Sequence, residues 1–186
     1  MSKKREQLVT TALDLFYYQS VHEIGINEIL KVSGVAKRTM YSHFESKDAL
    51  IVATLQKRHT NFMSWLKDVL KDARSDQQVI NLLFDGLESW FTNKSEVLGK
   101  FRGCFFINTA AEFSAIQSDI VKYCSFHKTE VRALIEQKLT CNSSTLLDAI
   151  CIMKEGAITT VHMTGEGSDV CEKSKRILTS LIEPKP

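Results

Sequence analysis

Proline is almost missing from this sequence: there are two, Pro184 and Pro186, and none in residues 1–183. A proline inside a helix removes an amide donor and clashes with the preceding turn. Its absence permits long uninterrupted helices. Long apolar runs are missing too, and no stretch approaches the roughly 20 residues a helix needs to cross a bilayer. The basic start, Met1 to Arg5, is followed by a segment that Thr10, Thr11, Asp14 and Gln19 interrupt, which argues against a signal peptide. A soluble, cytoplasmic chain with no membrane partner is expected. The five cysteines (104, 124, 141, 151, 171) are odd in number and form no CxxC pair, which argues against a disulfide framework and a zinc ribbon. Free thiols in a reducing compartment are the plain reading.

Chemistry-bearing motifs are also lacking. HExxH, GxSxG, P-loop and GxGxxG patterns do not occur. The histidines stand at 22, 43, 59, 127 and 162, and none makes an i, i+4 ligand pair with another histidine or a cysteine. His59 and Met63 share a helical face, which is poor zinc chemistry. No catalytic residue, metal site or cofactor is expected. Neither sign of charge dominates, since the net charge is +2. Residues 1–60 nevertheless carry nine Lys/Arg against six acids, and the remainder is slightly acidic. Such an asymmetry becomes useful when a motif locates it.

What is present is helical periodicity. Leu8, Ala12, Leu15 and Phe16 recur at i, i+4, i+7 and i+8, which predicts an amphipathic helix over 3–19. Ile26, Ile29, Leu30 and Ser33 form one face of a second, short helix, with Gly34 directly after it, where positive φ is cheapest. Residues 36–43 make a third, with Met40 and Phe44 turned inward. Ser46 is a good N-cap for a fourth reaching about Asp72, with Asp48 favoured by the dipole in its first turn. Further helices are predicted at about 76–92, 97–115, 117–139, 144–164 and 168–183, separated by polar or glycine-containing stretches. No segment alternates with period two, so the expected class is all-α with about nine helices, and the module boundary falls inside the fourth.

Residues 25–44 have the anatomy of a helix-turn-helix, in which the second helix enters the DNA major groove and the first braces it. With Met40 and Phe44 anchored, Lys37, Arg38, Thr39, Tyr41, Ser42 and His43 remain outside, nearly all of them hydrogen-bond donors, and no acid interrupts them. The alternative is a plain three-helix bundle whose basic residues form a solvated face.

The stretch Arg5…Ala12-Leu13-Asp14-Leu15-Phe16…Ile26…Ile29-Leu30…Ser33-Gly34-Val35-Ala36-Lys37…Thr39-Met40-Tyr41…His43-Phe44…Ser46-Lys47-Asp48-Ala49-Leu50 resembles the N-terminal DNA-binding domain of the TetR family over about 50 residues in one register. The resemblance implies a three-helix DNA-binding domain at 1–48, joined through the long fourth helix to an effector-binding and dimerisation domain at 49–186. It places Lys37, Arg38 and Ser42 where relatives contact bases, with Asn27 as a helper, and Thr39, Tyr41, His43 and Lys47 where relatives hold phosphates. Arginine suits bidentate pairing with guanine, while hydroxyls and lysines position a protein on the backbone. Three positions depart from the pattern: Ser20 where glycine is common, Arg38 where many relatives have glycine, and Ala36 in place of a frequent serine cap.

The same resemblance implies a homodimer through 144–164 and 168–183 on palindromic operator DNA. Leu146, Leu147, Ile150, Met153, Ala157, Ile158, Val161, Ile177, Leu178 and Leu181 are available there, either for pairing or for the monomer's own core. It also implies a small-molecule effector. If 101–113 is helical, Cys104, Asn108 and Glu112 share one face of an otherwise apolar helix. A buried amide and carboxylate require hydrogen bonds, met by an internal network or by a pocket with a polar ligand. The pocket reading takes in Phe62, Phe101, Cys104, Phe105, Asn108, Glu112, Phe113 and His162. The function expected is a ligand-responsive DNA-binding regulator, a repressor released by a small molecule. The alternative is a helical ligand-binding protein, or one sensing electrophiles or oxidants through Cys104, without operator binding. There Arg102 or His162 would supply the cation that a reactive thiolate needs, while the plain reading of Cys104 is a small buried hydrophobe.

Overall fold

The computed structural model describes residues 2–182. Among the described residues there are nine helices and no strand: α1 (Lys3–Tyr18), α2 (Ile26–Ser33), α3 (Lys37–Tyr41), α4 (Lys47–Val69), α5 (Asp76–Phe91), α6 (Phe105–Ala111), α7 (Asp119–Glu136), α8 (Ser144–Thr164) and α9 (Gly167–Thr179). The all-α class and the helix number agree with the periodicity. Position 183, the end of the last expected helix, lies outside the described residues. None of the described helices is long and apolar enough to cross a membrane.

Contacts divide the chain into two units, Met1–Thr60 with Phe105–His127, and Asn61–Cys104 with Lys128–Pro186. In the first, α1 turns Leu8, Val9, Ala12, Leu13 and Phe16 inward, and Ile24, Ile29, Met40, Phe44, Leu50 and Ile51 join them in the core. Burying each such side chain contributes about 1.5–3 kcal/mol. α2 stops at Gly34, whose φ of +66° lets its N–H reach Leu30 O. At Ser46 the expected cap forms, the hydroxyl accepting the Ala49 N–H at 3.0 Å.

In the second unit α9 packs on α5 and α8. Val79, Ile80, Leu83, Phe84 and Leu87 of α5 meet Leu147, Ile150, Ile158 and Val161 of α8 and Leu178 of α9 in its core. Lys175 Nζ donates to Asp85 at 2.5 Å and to Glu172 at 2.6 Å, tying α9 to α5. The Asp76 carboxylate at the start of α5 accepts from the Thr140 N–H at 2.5 Å and the Thr140 hydroxyl at 3.0 Å.

One expected helix is much shorter than its pattern. Residues 97–104 are not helical, because Gly99 and Gly103 take φ of +68° and +77°, a left-handed conformation that interrupts a right-handed helix. Asn93 Oδ1 accepts the Phe101 N–H at 2.8 Å and fixes the loop instead. A Cβ on Gly103 would stand 2.9 Å from His162 Cγ, so glycine is also demanded by space.

Candidate nucleic-acid interface

α3 is a five-residue helix held by one buried side chain within it and one just beyond. Met40 is fully buried and Phe44 nearly so, while the main chain tightens after Tyr41 with His43 N–H and Phe44 N–H both on Met40 O. These two anchors leave Lys37, Arg38, Tyr41 and Ser42 exposed, and Asn27 of α2 is exposed as well. Thr39 and His43 are half-buried. The residues from Ala36 to Phe44 include no acid, so the presented surface is cationic and hydroxyl-bearing. Ala36 occupies the N-cap with no side-chain bond, as its methyl group dictates.

Two members of the expected set carry commitments that the sequence did not reveal. The Ser42 hydroxyl donates to Thr39 O at 2.7 Å, so outward it offers acceptor lone pairs. Lys47 is half-buried, and its ammonium donates to Val21 O at 2.6 Å and stands 5.8 Å from the Phe16 ring. Burial pushes the Lys47 ammonium below the usual lysine range, against the pull of Glu112 and Asp48. Lys47 thus fastens the loop between α1 and α2.

That loop is secured from its other side by Glu112, whose carboxylate accepts the Val21 N–H at 3.0 Å and the His22 N–H at 2.7 Å and lies 3.2 Å from His22 Nδ1. The polar requirement of Glu112 is therefore met by an internal network. Ser20, at a position where glycine was expected, accepts the Glu23 N–H through its hydroxyl. Gln7 Nε2 donates to Ser33 O at 2.7 Å, bracing α2 on α1, and the Arg5 guanidinium lies 5.0 Å over the Phe44 ring. These contacts tie α1 to the end of α2 and to the Phe44 anchor of α3.

The residues expected around an effector fall into both units. In the first, Phe105 is buried edge-on to Tyr17, Asn108 is half-buried, and Phe113 packs 4.9 Å from His22. In the second, Phe62 lies 6.2 Å from Trp90, Trp90 meets Phe101 edge-on at 4.9 Å, and His162 is 6.2 Å from Phe101. Cys104 is buried and directly precedes α6. A cation at its sulfur is Lys128, with Nζ 3.2 Å from Sγ. Lys128 also donates to Glu155 at 2.7 Å, and Glu155 pairs with the buried Lys154. Burial opposes the charges of Lys128 and Glu155, but their partners outweigh it, holding the lysine above and the glutamate below their usual ranges. Nothing in the spacing of residues 104, 128 and 155 signals this cluster, which forms only when α7 and α8 pack.

Residues 8–54 match the description of the bacterial regulatory proteins of the tetR family. The HTH-type transcriptional activator FasR of Mycolicibacterium smegmatis is 31% identical over 90 residues, covering 46% of this chain and 41% of that protein. The HTH-type transcriptional repressor NemR of Escherichia coli is 25% identical over 138 residues, covering 73% of this chain and 66% of that protein. The matches thus span less than two thirds of these relatives' lengths. A crystal structure of a TetR-family transcriptional regulator from Streptomyces coelicolor has the same fold, with a TM-score of 0.82 at 20% identity, covering 97% of this chain and 94% of that one.

Proposed function

We propose that the chain is a DNA-binding transcription regulator of the tetR family, whose description residues 8–54 match, and a repressor that a small molecule releases from a palindromic operator. The observation that carries this reading is the exposed, acid-free surface of Lys37, Arg38, Tyr41 and Ser42 beside Asn27, held on Met40 and Phe44. In this reading residues 1–48 are the DNA-binding domain and 49–186 bind effector and partner. Arg38, Lys37 and Ser42 face base edges, Asn27 assists them, and Thr39, Tyr41, His43 and Lys47 meet phosphates.

Two copies pair through α8 and α9. The support is an outward face that the monomer leaves uncovered: Ile152 is 71% exposed and Met163 74%, with Ile177 and Leu181 also exposed. Gly156 lies on the same face with open space where a Cβ would stand, so a second helix can approach closely. Effector contacts are proposed for Phe62, Phe101, Cys104 and His162. α4 follows the reading helix after only five residues, so a ligand that shifts α4 changes the separation of the two reading helices. Such a ligand must bind one arrangement better than the other.

Selection from a random pool of duplex DNA tests the reading. Enrichment of two inverted half-sites separated by whole helical turns is expected; a pool no different from the input after repeated rounds overturns it. A second reading, sensing of electrophiles or oxidants at Cys104, is favoured by the Lys128 ammonium 3.2 Å from its sulfur, the kind of partner that thiolate chemistry requires. If Cys104→Ser leaves DNA release by an electrophile unchanged, this second reading is lost.

A further inference from the structure

Two histidines that lie 68 positions apart meet within the first unit, His59 on α4 and His127 on α7, with their Nδ1 atoms 3.1 Å apart. His127 is buried and lies flat on Phe106, ring centroids 3.5 Å apart and planes 8° from parallel. His59 is half-buried, edge-on to His127 and to Tyr123. Stacking on Phe106 fixes the plane of His127. In the neutral pair one Nδ1 donates and the other accepts, and neutral imidazole is the form that ligates metal ions.

We propose that His59 and His127 form a two-imidazole site for a divalent transition-metal ion of the zinc, cobalt and nickel class. Imidazole nitrogen binds zinc at about 2.0–2.1 Å, so two nitrogens 3.1 Å apart subtend about 95–102° at a shared ion, between the octahedral and tetrahedral angles. The rings now face each other along the N–N line, centroids 5.3 Å apart. Binding needs two small changes. His59 tilts so that both lone pairs converge, and the ring that donates moves its proton from Nδ1 to Nε2. Imidazole pairs suit zinc, copper and nickel and are poor ligands for magnesium or calcium. Water reaching the exposed side of His59 completes the coordination. The site stands independently of whether the chain binds DNA.

Cobalt(II) titrated into the full chain, in thiol-free buffer at about pH 8 where imidazole is neutral, reads the site directly. The expected result is visible d–d absorption saturating at one ion per chain, without a thiolate-to-cobalt charge-transfer band. His59→Ala, a change at a half-exposed position, abolishes the signal while circular dichroism stays unchanged, and His127→Gln abolishes it too. The proposal is overturned by an absent or unsaturable signal, by an unchanged signal in His59→Ala, or by a thiolate band that assigns the ion to cysteine.

Discussion

Arg38 and Lys47 are both cations of the surface proposed to meet DNA, but their surroundings differ. Arg38 is exposed; its carbonyl accepts the Ser42 N–H, and among the described residues no side-chain partner holds its guanidinium. Arg38→Ala should relax preference at particular base pairs, by about 1–3 kcal/mol for a bidentate contact, and leave stability unchanged; binding to a panel of single-base operator variants measures this. Lys47 donates to Val21 O. Lys47→Ala should therefore act twice, lowering stability without DNA by about 1 kcal/mol and weakening binding to all sequences alike with a shallower salt dependence. Urea titration and salt-dependent binding separate the two effects. A variant as stable as the parent would show that the Val21 bond contributes nothing. The exposed reading side chains were legible from the spacing of Met40 and Phe44 alone. The anchoring of Lys47 and Glu112 was not, because their partners stand 26 and about 90 positions away in the chain.

At the scale of elements, α2 and α8 were legible because their ends carry local signals: Gly34 and Gly165 in left-handed conformations, and Ser143, whose hydroxyl accepts the Leu146 N–H. α3 lacks such a signal at its start. Ala36→Ser restores a hydroxyl at an extended N-cap position with φ of −65° and ψ of 144°, and should stabilise the chain by about 0.5–1 kcal/mol, read as a higher urea midpoint. No gain would mean that the first turn of α3 is already satisfied from elsewhere. The segment 97–104 misled because Val97, Leu98 and Phe101 continue an apolar pattern while Gly99 and Gly103 decide the backbone. The Asp76 carboxylate gives a pH-dependent element contact. Burial raises its pKa, but the bonds from Thr140 and Cys141 prevail and hold it below the usual value of 3.8. A carboxylate depressed on folding contributes stability above its unfolded pKa and loses it as pH falls through the folded one. Parent and Asp76→Asn should thus differ most above the ordinary carboxylate range and converge as pH falls through the depressed folded value below 3.8, which denaturant midpoints across acidic pH will show. A constant difference throughout would remove the carboxylate's charge from the explanation.

For the molecule as a whole, the decisive question is which apolar residues of α8 and α9 serve the monomer and which would serve the second copy of the proposed pair. The sequence offered ten such residues without a way to divide them, since a helix that packs on two sides is apolar on two sides. The fold divides them: Leu146, Leu147, Ile150, Ala157, Ile158, Val161 and Leu178 are buried within the chain, Met153 is half-buried, and Ile177 and Leu181 are exposed. Ile152 and Met163, absent from the ten, are more exposed still. An exposed apolar face of this kind suits an interface, and an isologous pair buries the same patch of both copies against itself. Ile152→Asp combined with Ile177→Asp would therefore set like charges against one another across the interface while touching nothing in the monomer core. The double variant should keep its helical circular dichroism and its thermal transition at low concentration, sediment as a monomer, and lose the steep operator binding of a two-half-site complex while retaining weak, salt-sensitive attachment to DNA. The contrast with Leu147→Asp, which strikes the core and should unfold the chain, assigns the loss to pairing. If the double variant still sediments as a dimer, the two copies meet elsewhere, and the spacing of the reading helices must be derived from another surface.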